Sequence, residues 1–539
     1  GNSSEIEELE VIWPDRKREV LTTVKADHKI ILQHENASED FNPTSTKSTS
    51  LFTENSSMTF PEKAIHTENI YNDFNHELLL PHMLSTEGPR LLKGDVNGDG
   101  REDAVLLGAA GDPDKLFLQN AASQFTFSSQ EAFEADKEME STSGALADMD
   151  QDGDLDLLIG AGGNEYTKGI ENFLLRYYEN DGNGNFSLQK EKTPPAGGNT
   201  SCIEVADFDA DGDMDVFVGG RVVPGNYGLK PRSFLLRKDP QGWTDITTES
   251  LGGLGMITDA IWVDQDNDKD LDLVVVGEWL GVTLLKNEGG KFQAPAMIPN
   301  SFGWWNCIEK ADLDGDGDED FVLGNWGLNS KFQASAERPL SMFVKDFDQN
   351  GKSEFVINWF PPLDDKAYPF ATKGDITTQL PHLKRTNLKF EEYAHKTFSD
   401  LFTEEEVRGG LAYKAEYLQS AILWNEAGGT PKLQALPIEA QVSPVFGIAI
   451  ADMDGDTHLD IVLGGNFYAL KPEVGRQDAN FGVFLKGNGS KDFQYLSPRE
   501  SGIYLRGEVR DMEVFKGKDN QALLMVARNN DAVLTFKRN

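Results

Sequence analysis

The chain has 539 residues, of which 90 are acidic and 50 are basic, so its formal net charge at pH 7 is −40. Such a strong negative charge argues against nucleic acid or an anionic membrane surface as a partner. The sequence has no apolar run of about 18 residues, so we expect no membrane span. Its length allows a large core, and its 52 glycines suit an all-β protein with short strands and many turns.

Residues 35–59 form a polar stretch rich in Ser, Thr and Asn, which is typical of a linker. We therefore predict a linker at 35–59, a short segment at 1–34 before it and a main domain at 60–539.

The main domain repeats one acidic pattern, Asp-x-[Asp/Asn]-x-[Asp/Asn], usually with an acid at position nine and then a short apolar run. Seven copies begin at Asp95, Asp148, Asp207, Asp264, Asp312, Asp346 and Asp452. Carboxylates at alternate positions of a tight loop repel one another unless a cation lies among them. Calcium binds about six to eight oxygen atoms and suits such a loop. The sequence therefore predicts about six to seven calcium ions per chain.

The candidate calcium-binding residues occupy positions one, three, five, seven and nine of each copy. They are Asp95, Asn97, Asp99, Arg101 and Asp103; Asp148, Asp150, Asp152, Asp154 and Asp156; Asp207, Asp209, Asp211, Asp213 and Asp215; Asp264, Asp266, Asp268, Asp270 and Asp272; Asp312, Asp314, Asp316, Asp318 and Asp320; Asp346, Asp348, Asn350, Lys352 and Glu354; and Asp452, Asp454, Asp456, His458 and Asp460. Position six favours Gly, because the turn there favours a positive φ. Lys269 and Thr457 replace that Gly in two loops, which we expect to be strained and weaker.

The residue at position twelve separates these loops from EF-hands. An EF-hand needs a Glu there, on an emerging helix. Here position twelve is apolar in every copy, as at Leu106, Val218 and Leu323, and it lies in a short run rich in β-branched residues. Such runs predict strands. The loops therefore join two strands, and their recurrence every 50 to 60 residues or so predicts propeller blades.

The spacing of the copies counts the blades. The first five copies start 53, 59, 57 and 48 residues apart, which is enough for four strands each. The Asp346 copy follows only 34 residues after Asp312, so we place residues 341–346 and 355–358 in the outer hairpin of the fifth blade. A sixth blade centres on Asp452, and a seventh on a degenerate copy at 511–519. The prediction is a seven-bladed β-propeller, or an eight-bladed one if the Asp346 loop starts its own blade.

Residues 372–407 interrupt the repeats. Phe390, Tyr393, Phe398 and Phe402 recur there at helical spacing. We predict an amphipathic helical insert on the side of the propeller, with its aromatic residues in the core rather than at a partner site.

The repeats resemble FG-GAP (VCBS) repeats, the calcium-loop blades that also occur in integrin α-chain propellers. Two further stretches are His66-Thr-Glu68-Asn69, followed by Asp73-Phe74 and residues 79–85, and Leu-Glu-Val-Ile-Trp-Pro-Asp at residues 9–15. They resemble bacterial FG-GAP proteins with an ASPIC/UnbV domain, which are relatives of cartilage acidic protein. The resemblance implies that residues 1–34 are the C-terminal part of an ASPIC/UnbV-like β domain. We therefore expect the chain to lack the N-terminal portion of its own polypeptide.

Calcium loops of this kind are generally filled at the concentrations found outside the cytosol. We therefore expect an extracytoplasmic protein that is at the cell surface, associated with the outer membrane or secreted. The resemblance implies adhesion or uptake, sometimes as an accessory to an outer-membrane uptake complex. The favoured function is a non-enzymatic binding module for a glycan, peptide or protein.

The face opposite the calcium loops would carry aromatic side chains beside Asn, Arg and Glu, a combination that suits a sugar or peptide site. The candidate ligand-binding residues are Arg221, Trp279, Trp304, Trp305, Trp326, Tyr468, Arg476 and Arg528. The arginines suggest a ligand with carboxylate or sulfate groups. Alternatively, they pair with acids such as Glu278 and Glu165, and the aromatic residues fill the loops and the channel mouth.

The second function class is a propeller polysaccharide lyase or hydrolase, which needs a positioned acid and base. The candidates are Glu165 with Tyr166, or His82 with Glu87 and Arg90. His82 could equally cap a turn. No nucleophile elbow, zinc-protease motif or phosphate-binding loop is present, so we assign no catalytic residue.

Overall fold

The computed structural model describes residues 4–41, 50–62, 64–165, 173–362, 364–426 and 429–539. The chain divides into two units, Gly1–Thr49 and Ser50–Asn539. Within the described ranges, no helix has both the length and the apolar character needed to cross a membrane.

The first unit contains a small antiparallel sheet. Strand β1 (Glu5–Ile12) pairs with β2 (Lys17–Lys25), and β2 pairs with β3 (Glu39–Asp40). A 3-10 turn at His34–Asn36 precedes β3. The predicted boundary at residue 34 is therefore too early. Strand β3 has no buried apolar side chain, so its acidic sequence is indistinguishable from a linker. The strand is held by backbone pairing with β2 and by an ion pair of 2.7 Å between Lys17 Nζ and Asp40 Oδ1.

The second unit opens with strand β4 (Phe52–Glu54) and helix α1 (Ser56–Thr59), and its framework is antiparallel β-sheet. The first sheet contains β5 (Leu91–Gly94), β6 (Asp103–Leu106), β7 (Lys115–Gln119) and β8 (Phe125–Ser128). The second contains β9 (Ser141–Ala147), β10 (Asp156–Ala161), β11 (Arg176–Asn180) and β12 (Phe186–Leu188), preceded by helix α2 (Glu131–Ala135). The third contains β13 (Thr200–Ala206), β14 (Asp215–Gly220), β15 (Phe234–Asp239) and β16 (Gly242–Asp245).

The remaining sheets follow the same plan. The fourth, after helix α3 (Glu249–Gly252), contains β17 (Met256–Val263), β18 (Asp272–Leu280), β19 (Thr283–Leu285) and β20 (Ala296–Met297), with β21 (Gly303–Trp304) beside β18. The fifth begins with β22 (Cys307–Ala311) and β23 (Asp320–Gly324) and ends with β28 (Ala421–Trp424) and β29 (Lys432–Ala435). The sixth contains β30 (Val445–Ala451), β31 (Asp460–Gly465), β32 (Val483–Lys486) and β33 (Gln494–Leu496), and helix α9 (Pro498–Ser501) follows it. The seventh contains β34 (Glu508–Lys516), β35 (Ala522–Asn529), β36 (Leu534–Arg538) and β4.

The first strands of these sheets surround a central channel. They adjoin one another in the order β5, β9, β13, β17, β22, β30 and β34, and β34 adjoins β5. Apolar layers fill the space between neighbouring sheets, such as the layer of Phe217, Leu235, Ile257, Leu273 and Val275. Each of the first six sheets carries one acidic loop between its first two strands. All these loops therefore lie at one end of the channel.

Two sequence predictions about the seventh sheet are wrong. Phe52–Glu54, placed in the linker, is its outer strand and pairs with β36, so the two ends of this unit complete one sheet. A three-residue strand with one buried side chain, Phe52, does not stand out in a polar stretch. Asp511 does not start a degenerate loop, because it lies within β34 and accepts a hydrogen bond of 2.8 Å from Leu91 N.

The Asp346 loop belongs to a separate sheet inserted between β23 and β28. This sheet contains β24 (Leu340–Lys345), β25 (Glu354–Trp359), β26 (Tyr368–Pro369) and β27 (Leu411–Ala415). The predicted pairing of residues 341–346 with 355–358 is correct, but the hairpin is not the outer part of the fifth sheet, which β28 and β29 supply. The sheet also does not adjoin the channel, since β22 lies beside β30.

The insert at 372–407 is a series of short helices. They are α4 (Lys373–Gln379), α5 (Leu383–Thr386), α6 (Phe390–Ala394), α7 (Phe398–Leu401) and α8 (Glu404–Val407). Tyr393 and Phe402 are buried in a large apolar cluster, whereas Phe390 is exposed. Further 3-10 turns lie at Asp73–Asn75, Ile438–Gln441 and Lys518–Asn520.

The first prediction tests whether β4 is part of the second unit's fold. Phe52 is 1% exposed and packs 5.5 Å from Phe484, measured between ring centroids. Phe52→Ala should lower the free energy of unfolding by about 3–5 kcal/mol in urea denaturation, because it leaves a cavity in the core. The neighbouring Thr53→Ala, at an exposed position, should change it by less than about 0.5 kcal/mol. If both variants have equal, small effects on the free energy of unfolding, residues 52–54 are part of the linker and not of the seventh sheet.

Candidate functional site

The first Asp of each acidic loop organises the loop backbone. Asp207 Oδ1 accepts a hydrogen bond of 3.0 Å from Asp211 N, and its Oδ2 accepts one of 3.0 Å from Gly212 N. The residue at position six has a positive φ, which is 96° at Gly212, 78° at Lys269 and 76° at Thr457. The predicted strain at Lys269 and Thr457 is therefore present, since side chains disfavour this region.

The acid at position nine joins the loop to the third strand of its sheet. Asp215 Oδ2 accepts a hydrogen bond of 3.3 Å from Phe208 N, and its Oδ1 accepts one of 2.8 Å from Lys238 N. The same two bonds recur at Asp103, Asp156, Asp272, Asp320 and Asp460. Burial raises the pKa of Asp215 to about 7. A carboxylate oxygen has more than one lone pair, so these bonds leave capacity for a cation.

Other oxygens of the acidic loops are buried without a donor. Among the described residues, those that accept no hydrogen bond include Asp148 Oδ1, Asp150 Oδ1, Asp154 Oδ1, Asp209 Oδ1, Asp264 Oδ1, Asp266 Oδ1, Glu354 Oε1 and Asp454 Oδ1. Carboxylate oxygens lie within 4.8 Å of one another in the groups Asp148, Asp150 and Asp152; Asp207, Asp209 and Asp215; Asp264, Asp266 and Asp268; Asp312, Asp314 and Asp316; and Asp346, Asp348 and Glu354. Buried carboxylates without partners are costly. The donor set therefore fits a hard cation such as calcium.

Basic side chains approach some of these loops. Lys486 forms ion pairs with Asp454 and Asp456 in the Asp452 loop, the second at 2.8 Å. In the Asp95 loop the guanidinium of Arg101 pairs with Asp99. The side chain of Arg101, predicted at position seven, therefore supplies a competing positive charge, and only its backbone carbonyl could be a ligand.

At the other end of the channel, the four predicted Trp side chains lie in the core. Trp279, Trp304 and Trp326 are 2%, 1% and 3% exposed, and Trp305 is fully buried. The Trp304 ring centroid is 5.1 Å from that of Trp279 and 5.0 Å from that of Trp326. Aromatic neighbours pack against these rings, so the four Trp side chains do not form an exposed aromatic surface.

Arg221 is buried in an ion-pair cluster, as the alternative interpretation expected. Its Nε donates to Glu87 Oε1 at 2.6 Å, and its Nη2 donates to Glu278 Oε2 at 2.9 Å. Glu278 Oε1 is 2.9 Å from His82 Nε2 and accepts a hydrogen bond from the Tyr227 hydroxyl. Burial alone would raise the pKa of Glu278, but the charges of His82 and Arg221 lower it to about 2. Glu278 is therefore a buried anion held by two basic groups.

A small cavity lies at this channel mouth, lined by residues that include Thr86, Arg221, Glu278, Trp304 and Arg510. Three potential donors in it are buried and have no hydrogen-bond partner in the described part of the chain: Arg221 Nη1, Trp304 Nε1 and Thr86 Oγ1. Arg510 is already engaged, since its Nη2 donates to Glu508 Oε1 at 2.9 Å. The mouth therefore offers donors to a ligand with acceptor oxygens.

The other predicted binding residues lie elsewhere on this face. Arg476 stacks on Tyr468, with its guanidinium carbon 3.5 Å from the ring centroid, and it is exposed and pairs with Asp478. Arg528 points inward, where its guanidinium donates to the carbonyl oxygens of Ala532 and Arg506. Of the predicted arginines, Arg476 is thus the exposed one.

The enzymatic candidates His82, Glu87 and Arg90 line the same cavity. His82 pairs with Glu278 rather than with Glu87 and Arg90, and it is 4% exposed. Burial lowers its pKa, but the adjacent Glu278 more than offsets this and raises it. Glu165 Oε1 accepts a hydrogen bond of 3.1 Å from Asn69 Nδ2. Tyr166 lies outside the described residues.

Sequence reasoning missed the polar clamp that holds residues 64–90 across the channel mouth. Asp73 is fully buried, and its Oδ2 accepts a hydrogen bond of 2.6 Å from Ser85 Oγ. Asn164 Nδ2 donates to Asp73 Oδ1 at 2.7 Å and to Glu77 Oε2 at 3.0 Å, and Tyr227 N donates to Glu77 Oε1. The part of the sequence that could have indicated this cluster is the stretch of residues 66–85, which also carries the family resemblance.

The chain is similar to several solved structures at low identity. The V. cholerae biofilm matrix protein Bap1 matches with 11% identity and a TM-score of 0.38, over 90% of this chain and 91% of that one. An Agrocybe aegerita lectin that recognises non-reducing terminal N-acetylglucosamine matches with 14% identity and a TM-score of 0.41, over 78% and 84%. YCF48 bound to D1 peptide matches with 9% identity and a TM-score of 0.39, over 88% and 98%. With TM-scores this low, we infer no function from them.

Comparison with curated proteins found no match. Among protein families, the FG-GAP-like repeat matches residues 95–159, 161–218 and 264–323. The family described as ASPIC and UnbV matches residues 1–39. The predicted resemblance is thus confirmed, and the first and third repeat matches begin at the loop residues Asp95 and Asp264. The chain therefore contains FG-GAP-like repeats together with a segment that matches the ASPIC and UnbV family.

Proposed function

We propose that the chain is an extracytoplasmic, calcium-binding, seven-bladed β-propeller that acts as a non-enzymatic binding module at its channel mouth. The seven sheets around the channel would be its blades. The observation that carries the binding function is the set of unpaired buried donors at the mouth, Arg221 Nη1, Trp304 Nε1 and Thr86 Oγ1, within the described residues. A glycan, peptide or protein with an accessible carboxylate would satisfy them.

The partner chemistry follows from the cavity. Arg221 already forms ion pairs with Glu87 and Glu278, so a ligand oxygen would accept only the remaining hydrogen bond of its guanidinium group. The cavity is small and mostly enclosed by buried side chains, so we expect it to take one terminal group of a larger ligand. A cell-surface or secreted location, including association with an outer-membrane uptake complex, is part of this proposal and rests on the need for calcium.

Calcium would act as a structural ion in the acidic loops. When bound, it neutralises the crowded carboxylates, while the first and ninth acids of each loop hold the backbone. Lys486 next to Asp454 and Asp456 competes with calcium in the Asp452 loop, whereas the closest basic group to the Asp207 loop, Arg237, lies 3.9 Å from Asp209. The Asp207 loop should therefore bind calcium more tightly than the Asp452 loop.

Chelation is expected to destabilise the second unit. A site whose free calcium is a hundredfold above its dissociation constant gains about 2.7 kcal/mol, and several loops add. Addition of EDTA in low salt should lower Tm by on the order of 10 °C or more, measured by differential scanning calorimetry. An unchanged Tm would show that the loops do not depend on calcium.

Backbone strain at position six predicts that opposite substitutions in two loops change the free energy of unfolding in opposite directions. Thr457→Gly should raise the free energy of unfolding by about 1 kcal/mol, because Gly adopts the φ of 76° at this position without a steric penalty. The reverse change, Gly212→Thr at a φ of 96°, should lower it by a similar or larger amount. Urea unfolding in saturating calcium measures both. Effects of the same sign would contradict the common loop geometry.

The binding function is tested by an array of acidic glycans and peptides, each beside a neutral counterpart in which the carboxylate is reduced or amidated, at millimolar calcium. We expect acidic members to bind and Trp304→Phe to weaken that binding about tenfold, because the change removes one donor to a charged acceptor and keeps an aromatic side chain. Trp262→Phe is the matched control. The Trp262 Nε1 is also buried without a partner among the described residues, but it lies in the layer between the third and fourth sheets. Equal binding of neutral counterparts, or equal loss in both variants, would exclude this site.

A further inference from the structure

Three glutamates from separate segments meet at the channel end opposite the acidic loops. Glu68 lies in the segment before the first sheet, Glu140 directly precedes β9, and Glu165 follows β10. Each has one oxygen held by a neutral donor. Ala110 N donates to Glu140 Oε2 at 2.8 Å, and Asn69 Nδ2 donates to Glu165 Oε1 at 3.1 Å. The third, Glu68 Oε1, accepts a hydrogen bond from the Asn529 side chain.

The second oxygen of each carboxylate has no partner. Glu68 Oε2, Glu140 Oε1 and Glu165 Oε2 are buried and accept no hydrogen bond from any residue that the structure describes. The amide oxygen of Asn69 is also buried and accepts no hydrogen bond from any described residue. Glu140 is 1% exposed, so bulk water does not solvate its free oxygen. The site thus holds four oxygen acceptors and no donor for them in the described ranges.

These groups are close enough to act on one another. A Cβ atom added to Gly163 would lie 2.5 Å from Glu165 Oε2 and 3.3 Å from Glu140 Cγ, so this glycine leaves the space in which the two side chains approach. Asn69, the neighbour of Glu68 in sequence, donates to Glu165 Oε1, which places the segment with Glu68 against Glu165.

Nearby basic groups do not neutralise this cluster. Arg510, which acts on Glu68 through its charge, donates to Glu508 Oε1 at 2.9 Å and to Asn466 O at 3.0 Å. Within the described part of the chain, no Lys, Arg or His forms an ion pair with any of the three glutamates. The excess negative charge must be compensated by protons or by a bound cation.

We propose that Glu68, Asn69, Glu140 and Glu165 bind one further calcium ion at the channel end opposite the repeat loops. A set of three carboxylate oxygens and one amide oxygen is a hard-cation site, and calcium tolerates the irregular geometry of ligands from three segments better than magnesium does. The ion would tie the segment that carries Glu68 to the second sheet. The proposal does not depend on occupancy of the repeat loops.

Manganese, an anomalous scatterer with the same preference for oxygen, is the probe for a crystallographic test. We expect an anomalous peak among these four residues in wild-type crystals soaked in Mn²⁺, and its loss in Glu140→Gln. That variant should fold, because Gln is isosteric and its carbonyl oxygen still accepts the Ala110 N–H. Glu134→Gln is the matched control, since Glu134 lies nearby in sequence, is 58% exposed and pairs with Lys137. It should retain the peak.

A solution measurement separates a bound cation from shared protons. Bound calcium per chain should fall by one ion in Glu140→Gln and remain unchanged in Glu134→Gln. In EDTA, Glu140→Gln should be at least as stable as the wild type because it removes one of three crowded charges; in calcium it should be less stable. The proposal is overturned if the wild-type cluster has no anomalous peak, or if Glu140→Gln raises Tm equally in calcium and in EDTA. Peaks in the repeat loops report separately on the proposed calcium scaffold.

Discussion

A buried carboxylate at the start of each second strand holds each of the first six sheets together around its acidic loop. In the third sheet, Asp215 accepts one backbone hydrogen bond from the loop and one from the third strand. A single side chain thereby fixes the loop backbone relative to both strands, whether or not a cation is present. In the inserted sheet Glu354 accepts only the loop bond, from Phe347 N, and its other oxygen is unpaired among the described residues. The inserted sheet thus keeps the bond between this carboxylate and the loop but lacks the bond to a third strand.

The acidic loops and the Glu278 cluster compensate buried charge in different ways. At the loop end, acids crowd together and their free oxygens leave a place for a cation. At the mouth, Glu278 is surrounded by His82, Arg221 and Tyr227, so its charge is matched within the protein. Removing one partner of such a cluster would leave an uncompensated buried charge, which is more costly than the net gain from the intact cluster. Glu278 is therefore compensated by its own neighbours, whereas several oxygens of the acidic loops have no partner among the described residues.

The periodic features of the fold could be predicted from the sequence, and the features set by single residues could not. The acidic pattern and the apolar run after it repeat many times, so their positions on strand and loop follow from spacing alone. Burial of Trp304 and Trp305 could not be deduced, because placement of a residue at one end of a strand does not tell whether neighbouring segments cover it. Trp304 lies in the apolar cluster to which residues 64–90 and the helical insert contribute, whereas Trp305 lies in the layer between the fourth and fifth sheets. Likewise, Phe52 gives too short a signal for an outer strand.

The cover over the mouth also explains why the motif around Glu68 and Asp73 lies outside the repeats. A ring of similar sheets leaves an open channel. Its inner strands do not close it, because their side chains point to the two faces of each sheet, into the layers between neighbouring sheets. Closure needs a segment that is not a repeat. Asp73 and Glu77 fix that segment through Asn164, and His82 fixes it through Glu278. Buried polar contacts fix the position of such a segment better than apolar ones do, because a hydrogen bond forms only when donor and acceptor have the right distance and orientation. The same segment that closes the channel thus determines which polar groups remain free at its mouth.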